Sequence, residues 1–263
     1  MTALWTTCML LQLGADPTEE ALRLYQEHTF RYTGGQYTDH EFKYRLLAPE
    51  PLDQETTWPV VFFLHGAGER GDDNAKQLMY LPSQLANAEH RAKYPAFVVV
   101  PQCPAGQFWV RLRPTNATPD DPDEPPHAMQ IAIGILDHVL DAYPVDRRRI
   151  YLTGLSMGGF GSWDLASRYS ERFAAVVPIC GGGPEPKADR LIKVPIWAFH
   201  GADDKIVPVA RSRGMIEAIR SAGGEPKYTE LEGVGHNSWT PAYDRASGLL
   251  DWMFSQVNTR PGD

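Results

Sequence analysis

Residues 154–158 read Gly-Leu-Ser-Met-Gly. A serine bracketed by glycines at this spacing can be presented on a sharp turn. The glycines let the backbone reverse without a Cβ clash, and the hydroxyl is pushed outward. The setting gives the pattern its meaning. An apolar run at 149–153 (RIYLT) leads directly into it, and helical spacing of Phe160, Trp163, Ala166, Tyr169 and Phe173 leads out. Strand, elbow and helix together make Ser156 a candidate nucleophile. Gly158, Gly159 and Gly161 open that helix despite poor helix propensity, which implies close helix–strand packing.

A serine hydroxyl is too weak an acid to attack alone; it needs a base, and the base needs an orienting acid. Of the eight histidines, His200 and His236 are the two that follow Ser156, and on this elbow the chain order is serine, acid, histidine. His236 stands in a flexible loop, 233–237 (GVGHN), just after the final predicted strand. His200 ends an apolar run and precedes the acidic candidates, which leaves His236 as the base. Asp203 and Asp204 both follow that run. The pattern His-Gly-x-x-Asp-x-x-Val-Pro favours Asp204 as the orienting acid, with Asp203 as the alternative and otherwise a turn cap. Two backbone N–H groups should face the developing oxyanion. The expected donors are Met157, which follows the nucleophile, and Ala67 in the loop 65–71 (HGAGERG). The rings of His65 and His200 are expected to be structural, hydrogen-bonded inside their own loops. A metal site built from His65, His200 and Asp203 offers no ligand pair at a usual spacing, so neither metal nor cofactor is expected.

These groups need a scaffold, and the chain supplies a rhythm for one. Continuous apolar runs occur at 60–64 (VVFFL), 97–100 (FVVV), 149–153, 174–179 (AAVVPI) and 194–199 (VPIWAF), with a shorter last strand at 227–231. Runs apolar on both faces suit a parallel sheet covered by helices on both sides. Pro178 and Pro195 lack a ladder N–H and belong at strand ends or an irregular point. An additional strand is predicted at 41–47. Helical patterns fill 129–142, 156–173, 208–222 and 246–257, and a short helix from Asp16, its N-cap, to about His28 is expected in an N-terminal extension, 1–40. The alternation predicts a doubly wound, mostly parallel α/β sheet of about eight strands in one domain, 1–263. The stretches 114–127 and 181–193 are expected to be loops.

Composition narrows the function classes. The chain has 263 residues, 43% hydrophobic and 22% charged, with a net charge of −8. That acidity disfavours nucleic acid and anionic membranes as partners. Cys8, Cys103 and Cys180 give no CxxC spacing, so neither a disulfide scaffold nor a zinc ribbon is expected. Cys103 and Cys180 end strands that should lie two others apart, about 14 Å at ordinary strand spacing, and are expected to be buried thiols. Residues 1–13 lack a basic start, so a cytoplasmic location is expected, with export under an atypical or trimmed signal as the alternative. Asn116-Ala117-Thr118 fits a glycosylation acceptor, which without a leader carries no weight.

Five stretches together resemble the α/β-hydrolase superfamily: 64–74 (LHGAGERGDDN), 101–109 (PQCPAGQFW), 154–163 (GLSMGGFGSW), 200–208 (HGADDKIVP) and 233–243 (GVGHNSWTPAY). The finer features resemble small serine esterases: phospholipase/carboxylesterase, dienelactone hydrolase-like, feruloyl esterase and polyhydroxybutyrate-depolymerase relatives, and proteins called predicted peptidases. The resemblance covers the chain from about Glu41 onward. It implies a triad of Ser156, Asp204 and His236, with Ala67 and Met157 as oxyanion donors. The 13-residue segment 181–193 is short where many lipases insert a cap, so no large cap domain is expected. The implied reaction is hydrolysis of short-chain acyl or aryl esters, free or linked to a polysaccharide, through an acyl-enzyme. A peptidase or arylamidase of the same fold is the second reading, and a catalytically silent binding module the third. Phe108, Trp109 and Trp239 are the candidate pocket residues, since aromatics beside the triad loops can stack on an acyl or aryl group.

Overall fold

In the computed structural model, the fully apolar runs become the buried strands of a sheet. The structure describes residues 16–52, 55–112, 119–120 and 124–260. A short helix α1 (Glu19–Leu24) begins the described chain, followed by an antiparallel hairpin, β1 (Gln26–Gly34) and β2 (Tyr37–Leu47). Then come β3 (Trp58–Leu64), the short helices α2 (Leu81–Ala86) and α3 (Ala88–Lys93), and β4 (Phe97–Pro101). A two-stranded excursion, β5 (Arg111–Leu112) and β6 (Pro119–Asp120), precedes α4 (His127–Ala142). The second half alternates β7 (Val145–Leu155), α5 (Met157–Arg168), β8 (Ala175–Ile179), β9 (Trp197–Gly201), α6 (Ala210–Ser221) and β10 (Lys227–Leu231). Helices α7 (Trp239–Tyr243) and α8 (Leu249–Ser255) follow.

Among the described residues, eight strands form one sheet in the order β1-β2-β4-β3-β7-β8-β9-β10. β2 is antiparallel to both neighbours; the other pairs are parallel. Strand alternation divides the core between two faces. Val60, Phe62 and Leu64 point to the face covered by α4, α5 and α6, while Val61 and Phe63 join α1, α2, α7 and α8 on the other. This is the doubly wound α/β architecture that the apolar runs predict.

Two expectations for the N-terminal part are corrected. The helix is capped by Thr18, whose Oγ1 accepts from the Ala21 N–H at 3.1 Å, rather than by Asp16. It also ends at Leu24, and the residues through His28 belong to β1. The hairpin ladder wins because Gln26 to Gly34 finds partners along β2. The segment 181–193, expected to be a loop, instead contains a 3-10 helix, Glu185–Leu191, packed against α5 and α6. Cys103 and Cys180 are both buried and free, three strand steps apart. Cys8, residues 1–13 and Asn116-Ala117-Thr118 lie outside the described residues.

Pro178 sits inside β8, opposite Gly154 on β7. Its other neighbour, β9, meets β8 only through the pairs Val176↔Ile196 and Ile179↔Phe199. The N–H groups of Val176 and Cys180 donate to Pro195 O and Phe199 O, each at 2.9 Å. Proline has no N–H to give between them, so the ladder is interrupted there, as expected of a proline inside a strand.

Candidate active site

Ser156 lies where β7 hands over to α5, with φ 52° and ψ −114°. A non-glycine residue held at such a positive φ costs of order 1–3 kcal/mol, which the surrounding structure must offset. The Ser156 N–H donates to Ile179 O at 2.9 Å. The glycines that follow are required by backbone contact. A Cβ on Gly158 would lie 1.8 Å from Leu64 O, and one on Gly159 would lie 2.2 Å from Ile179 O. Helix α5 therefore rests directly on the ends of β3 and β8, which brings the loop after β3 beside the serine.

The base and acid arrive from the far end of the sheet. His236 Nε2 is 2.9 Å from Ser156 Oγ, and His236 Nδ1 is 2.7 Å from Asp204 Oδ2. The carboxylate accepts, so Nδ1 carries the proton and Nε2 is left to accept from the serine. The Asp204 side chain is fully buried, whereas His236 keeps 12% exposure. The other carboxylate oxygen, Oδ1, accepts from the N–H groups of Ile206 and Val207 at 2.8 and 2.9 Å. Burial pushes this carboxyl up, but hydrogen bonds from His200, His236 and Val207 and the attraction of His236 outweigh it. The group is held well below the usual carboxylate range. Asp203 is exposed, and its N–H ties the turn to Val234 O at 2.9 Å. Geometry thus favours Asp204.

Met157 opens α5 and Ala67 opens a 3-10 helix, Ala67–Glu69, so neither N–H has an acceptor within its own helix. The loop carrying Ala67 is braced by His65. Its Nδ1 donates to Gly66 O at 2.6 Å, and its Nε2 accepts from the Cys103 N–H at 2.9 Å. Burial lowers its pKa to about 4, which keeps the ring neutral in this role.

The three aromatic candidates separate. Trp109 is 1% exposed and donates its indole N–H to His65 O at 2.9 Å, so it supports the loop instead of lining a pocket. Trp239 is 2% exposed and packs edge-on against His236 with ring centroids 5.4 Å apart. Phe108 alone keeps partial exposure, under the Arg70 guanidinium at 4.7 Å. An aromatic near a loop end reads the same in sequence whether it points in or out, and only packing decides.

Glu69 has no counterpart in the sequence reading. It lies in the loop after β3 with its side chain 9% exposed and its Oε2 without a hydrogen-bond partner among the described residues. Burial pushes its carboxyl up to about 7, against the pull of the Gly66 and Glu69 N–H groups and Arg70. The stretch GERGDD is polar and carries no local signal of burial. Among the described residues, the group able to hold a metal ion is Cys180, Asp204 and His236, with ligand atoms within 4.8 Å of one another. Two of these are the hydrogen-bonded acid and base, so the cluster overlaps the triad. A cavity of about 480 Å³ lies elsewhere, between β9, β10 and α7, and none of its lining residues is Ser156, Asp204 or His236.

A model of the phospholipase/carboxylesterase family matches residues 52–251. The chain belongs to this family. A thermostable esterase of known structure is 36% identical, with a TM-score of 0.80 over 90% of this chain and 64% of that one. A ferulic acid esterase of Anaeromyces mucronatus, at 18% identity and TM-score 0.59, covers 93% of this chain and 92% of its own. At that identity it shows the shared α/β-hydrolase fold. Among curated proteins, a bifunctional acetylxylan esterase/xylanase of Neocallimastix patriciarum is 27% identical over 162 residues, 62% of this chain and 22% of that protein. Feruloyl esterase D of Neurospora crassa is 30% identical over 118 residues, 41% of this chain and 38% of that protein. This phospholipase/carboxylesterase chain thus spans well under half of the curated relatives it matches.

Proposed function

We propose that the chain hydrolyses carboxylic esters through an acyl-enzyme. The observation that carries this is the unbroken path from Ser156 Oγ to His236 to Asp204, at 2.9 and 2.7 Å, set on a strained elbow. Ser156 Oγ attacks the acyl carbon as His236 Nε2 takes its proton. The N–H groups of Met157 and Ala67 hold the oxyanion. His236 then returns the proton to the leaving alcohol, and a water molecule, activated by the same nitrogen, releases the acid. Asp204 stabilises the imidazolium without taking its proton.

The substrate reading is a short acyl or aryl ester, free or attached to a polysaccharide. It is supported by the packed 3-10 segment after β8, by the partly exposed Phe108 and by relatives named for acetylxylan and feruloyl esters. A fluorophosphonate probe is expected to label the folded protein and not Ser156→Ala; an unlabelled wild type overturns the reading. p-Nitrophenyl esters graded by chain length, methyl ferulate and an aminoacyl anilide rank the substrates. Faster cleavage of the anilide would reverse the preference for esters over amides.

A further inference from the structure

His200 does more than brace its loop. It is completely buried at the end of β9, and its ring is bonded on both sides. Nδ1 lies 2.8 Å from Ser212 Oγ on α6, and that hydroxyl in turn lies 3.1 Å from Gly181 O beyond β8. Nε2 lies 2.9 Å from Val207 O and 3.2 Å from Asp204 Oδ2. Both neighbours of Nε2 accept hydrogen bonds and neither can donate, so Nε2 carries the proton. The oxygen of Asp204 that faces His236 is therefore shared between two imidazoles.

We propose that His200 is a positioning residue for the reaction: by donating to Asp204 Oδ2 it fixes the carboxylate's rotation and moderates its hold on His236. The inference rests on the ester-hydrolase reading above. A carboxylate binds a neighbouring imidazolium more tightly when fewer other donors share its charge. Asp204 accepts from Ile206, Val207 and His236, and His200 Nε2, bonded to Val207 O, stands 3.2 Å from its Oδ2. Without the His200 donor, the acid turns more freely and grips a protonated His236 harder. The base then stays protonated, and silent, to a higher pH. The other titratable groups around His200 are Cys180 at the end of β8 and Glu230, its register partner on β10, which is itself paired with Arg213 of α6. Neither Cys180 nor Glu230 donates to Asp204 Oδ2 among the described residues, so neither replaces the missing bond.

The test uses two amides that each imitate one ring nitrogen. Asparagine at this position places its nitrogen near Nδ1, keeping the Ser212 partner and losing the donor to Asp204. Glutamine places its nitrogen near Nε2 and keeps that donor. The pH dependence of kcat/KM is measured on p-nitrophenyl butyrate for wild type, His200→Asn and His200→Gln, with thermal melting to establish folding. In His200→Asn the acidic limb is expected to move to higher pH and kcat to fall about tenfold with KM unchanged, the loss expected of one buried hydrogen bond to a charged group. His200→Gln should restore the limb and most of the rate. A folded His200→Asn with the wild-type limb, or Asn and Gln variants that behave alike, overturns the proposal. Should His200→Asn fail to fold, Ser212→Ala loosens the ring from its far side. It is expected to move the limb the same way by less, and an unmoved limb there overturns the proposal. A wild type that neither labels with fluorophosphonate nor cleaves the ester sinks the ester reading itself. A wild type that does both, beside an unaffected His200→Asn, sinks this inference alone.

Discussion

Two loops of the molecule begin alike, each with a His-Gly pair: the oxyanion loop just after β3, and the acid loop, where the pair closes β9. Their histidines are both buried, yet they bear different loads. His65 bonds only to peptide groups, Gly66 O and the Cys103 N–H, and shapes its loop as a neutral strut. His200 bonds to a hydroxyl, a carbonyl and a buried carboxylate, and so takes part in the site's electrostatics. The acids follow the same division. Asp204 is surrounded by donors and held ionised, whereas Glu69 is nearly as buried with one oxygen unpartnered and its carboxyl pushed up to about 7. The same dipeptide thus opens one loop organised by backbone dipoles and another organised by a charge. Which of the two a sequence encodes depends on residues further along the chain.

The contrast can be attacked at several points. Removing the base with His236→Ala should lower kcat by about 10⁶-fold in ester turnover, since nucleophile and base act as a unit. Asp204→Asn keeps the shape but removes the charge, and a loss on the order of 10⁴-fold is expected; a loss below tenfold would transfer the acid's role to Asp203. On the oxyanion side the donor is a peptide N–H, so the probe is Ala67→Pro. Gly66 is already extended and Ala67 is the first residue of its 3-10 helix, which suits proline. A drop of about 10²–10³ in kcat with little change in melting temperature is expected.

Stability should separate the loops by pH. A carboxyl whose pKa is raised by folding binds its proton more tightly in the native state. Glu69 therefore costs stability as pH rises from about 4.5 to about 7. Chemical denaturation of Glu69→Gln should show no gain at pH 4 and about 3 kcal/mol at pH 8. Asp204 runs the other way: its depressed carboxyl contributes stability above about pH 4 that is lost as pH falls. Asp204→Asn should accordingly flatten the acid side of the stability curve. The smallest change is expected at Phe108→Ala, a rise in KM of about 3–10-fold with kcat retained, from lost apolar contact with the acyl group. A kcat effect there would place Phe108 in the oxyanion loop's support beside Trp109.

The buried strands were legible because a strand covered on both faces must be apolar throughout, and β3, β4 and β8 are. The hairpin strand β1 was not. Gln26 to Gly34 alternates exposed and half-buried residues at the sheet's edge, and polar residues there follow a helix start without a break. Ser156, His236 and Asp204 could be chosen because motif, chain order and loop position each constrain them. Glu69 and Ser212 could not, since the groups they meet are distant in sequence: Gln102 beyond β4, which donates to Glu69 O at 3.0 Å, in one case, and Gly181 beyond β8 in the other. Trp109 shows the same limit: its position beside the loop was readable, its inward direction was not.

The break beside Pro178 divides the sheet mechanically. Ser156 belongs to the leaf ending at β8, while Asp204 and His236 hang from the leaf of β9 and β10, and the two leaves are stitched by the pairs at Val176 and Ile179. A slip along this seam changes the distance from nucleophile to base and leaves the distance from base to acid intact. Backbone amides of β9 should then exchange with solvent deuterium sooner than those of β7, the mark expected of a site in which the reach of His236 toward Ser156 is softer than its grip on Asp204.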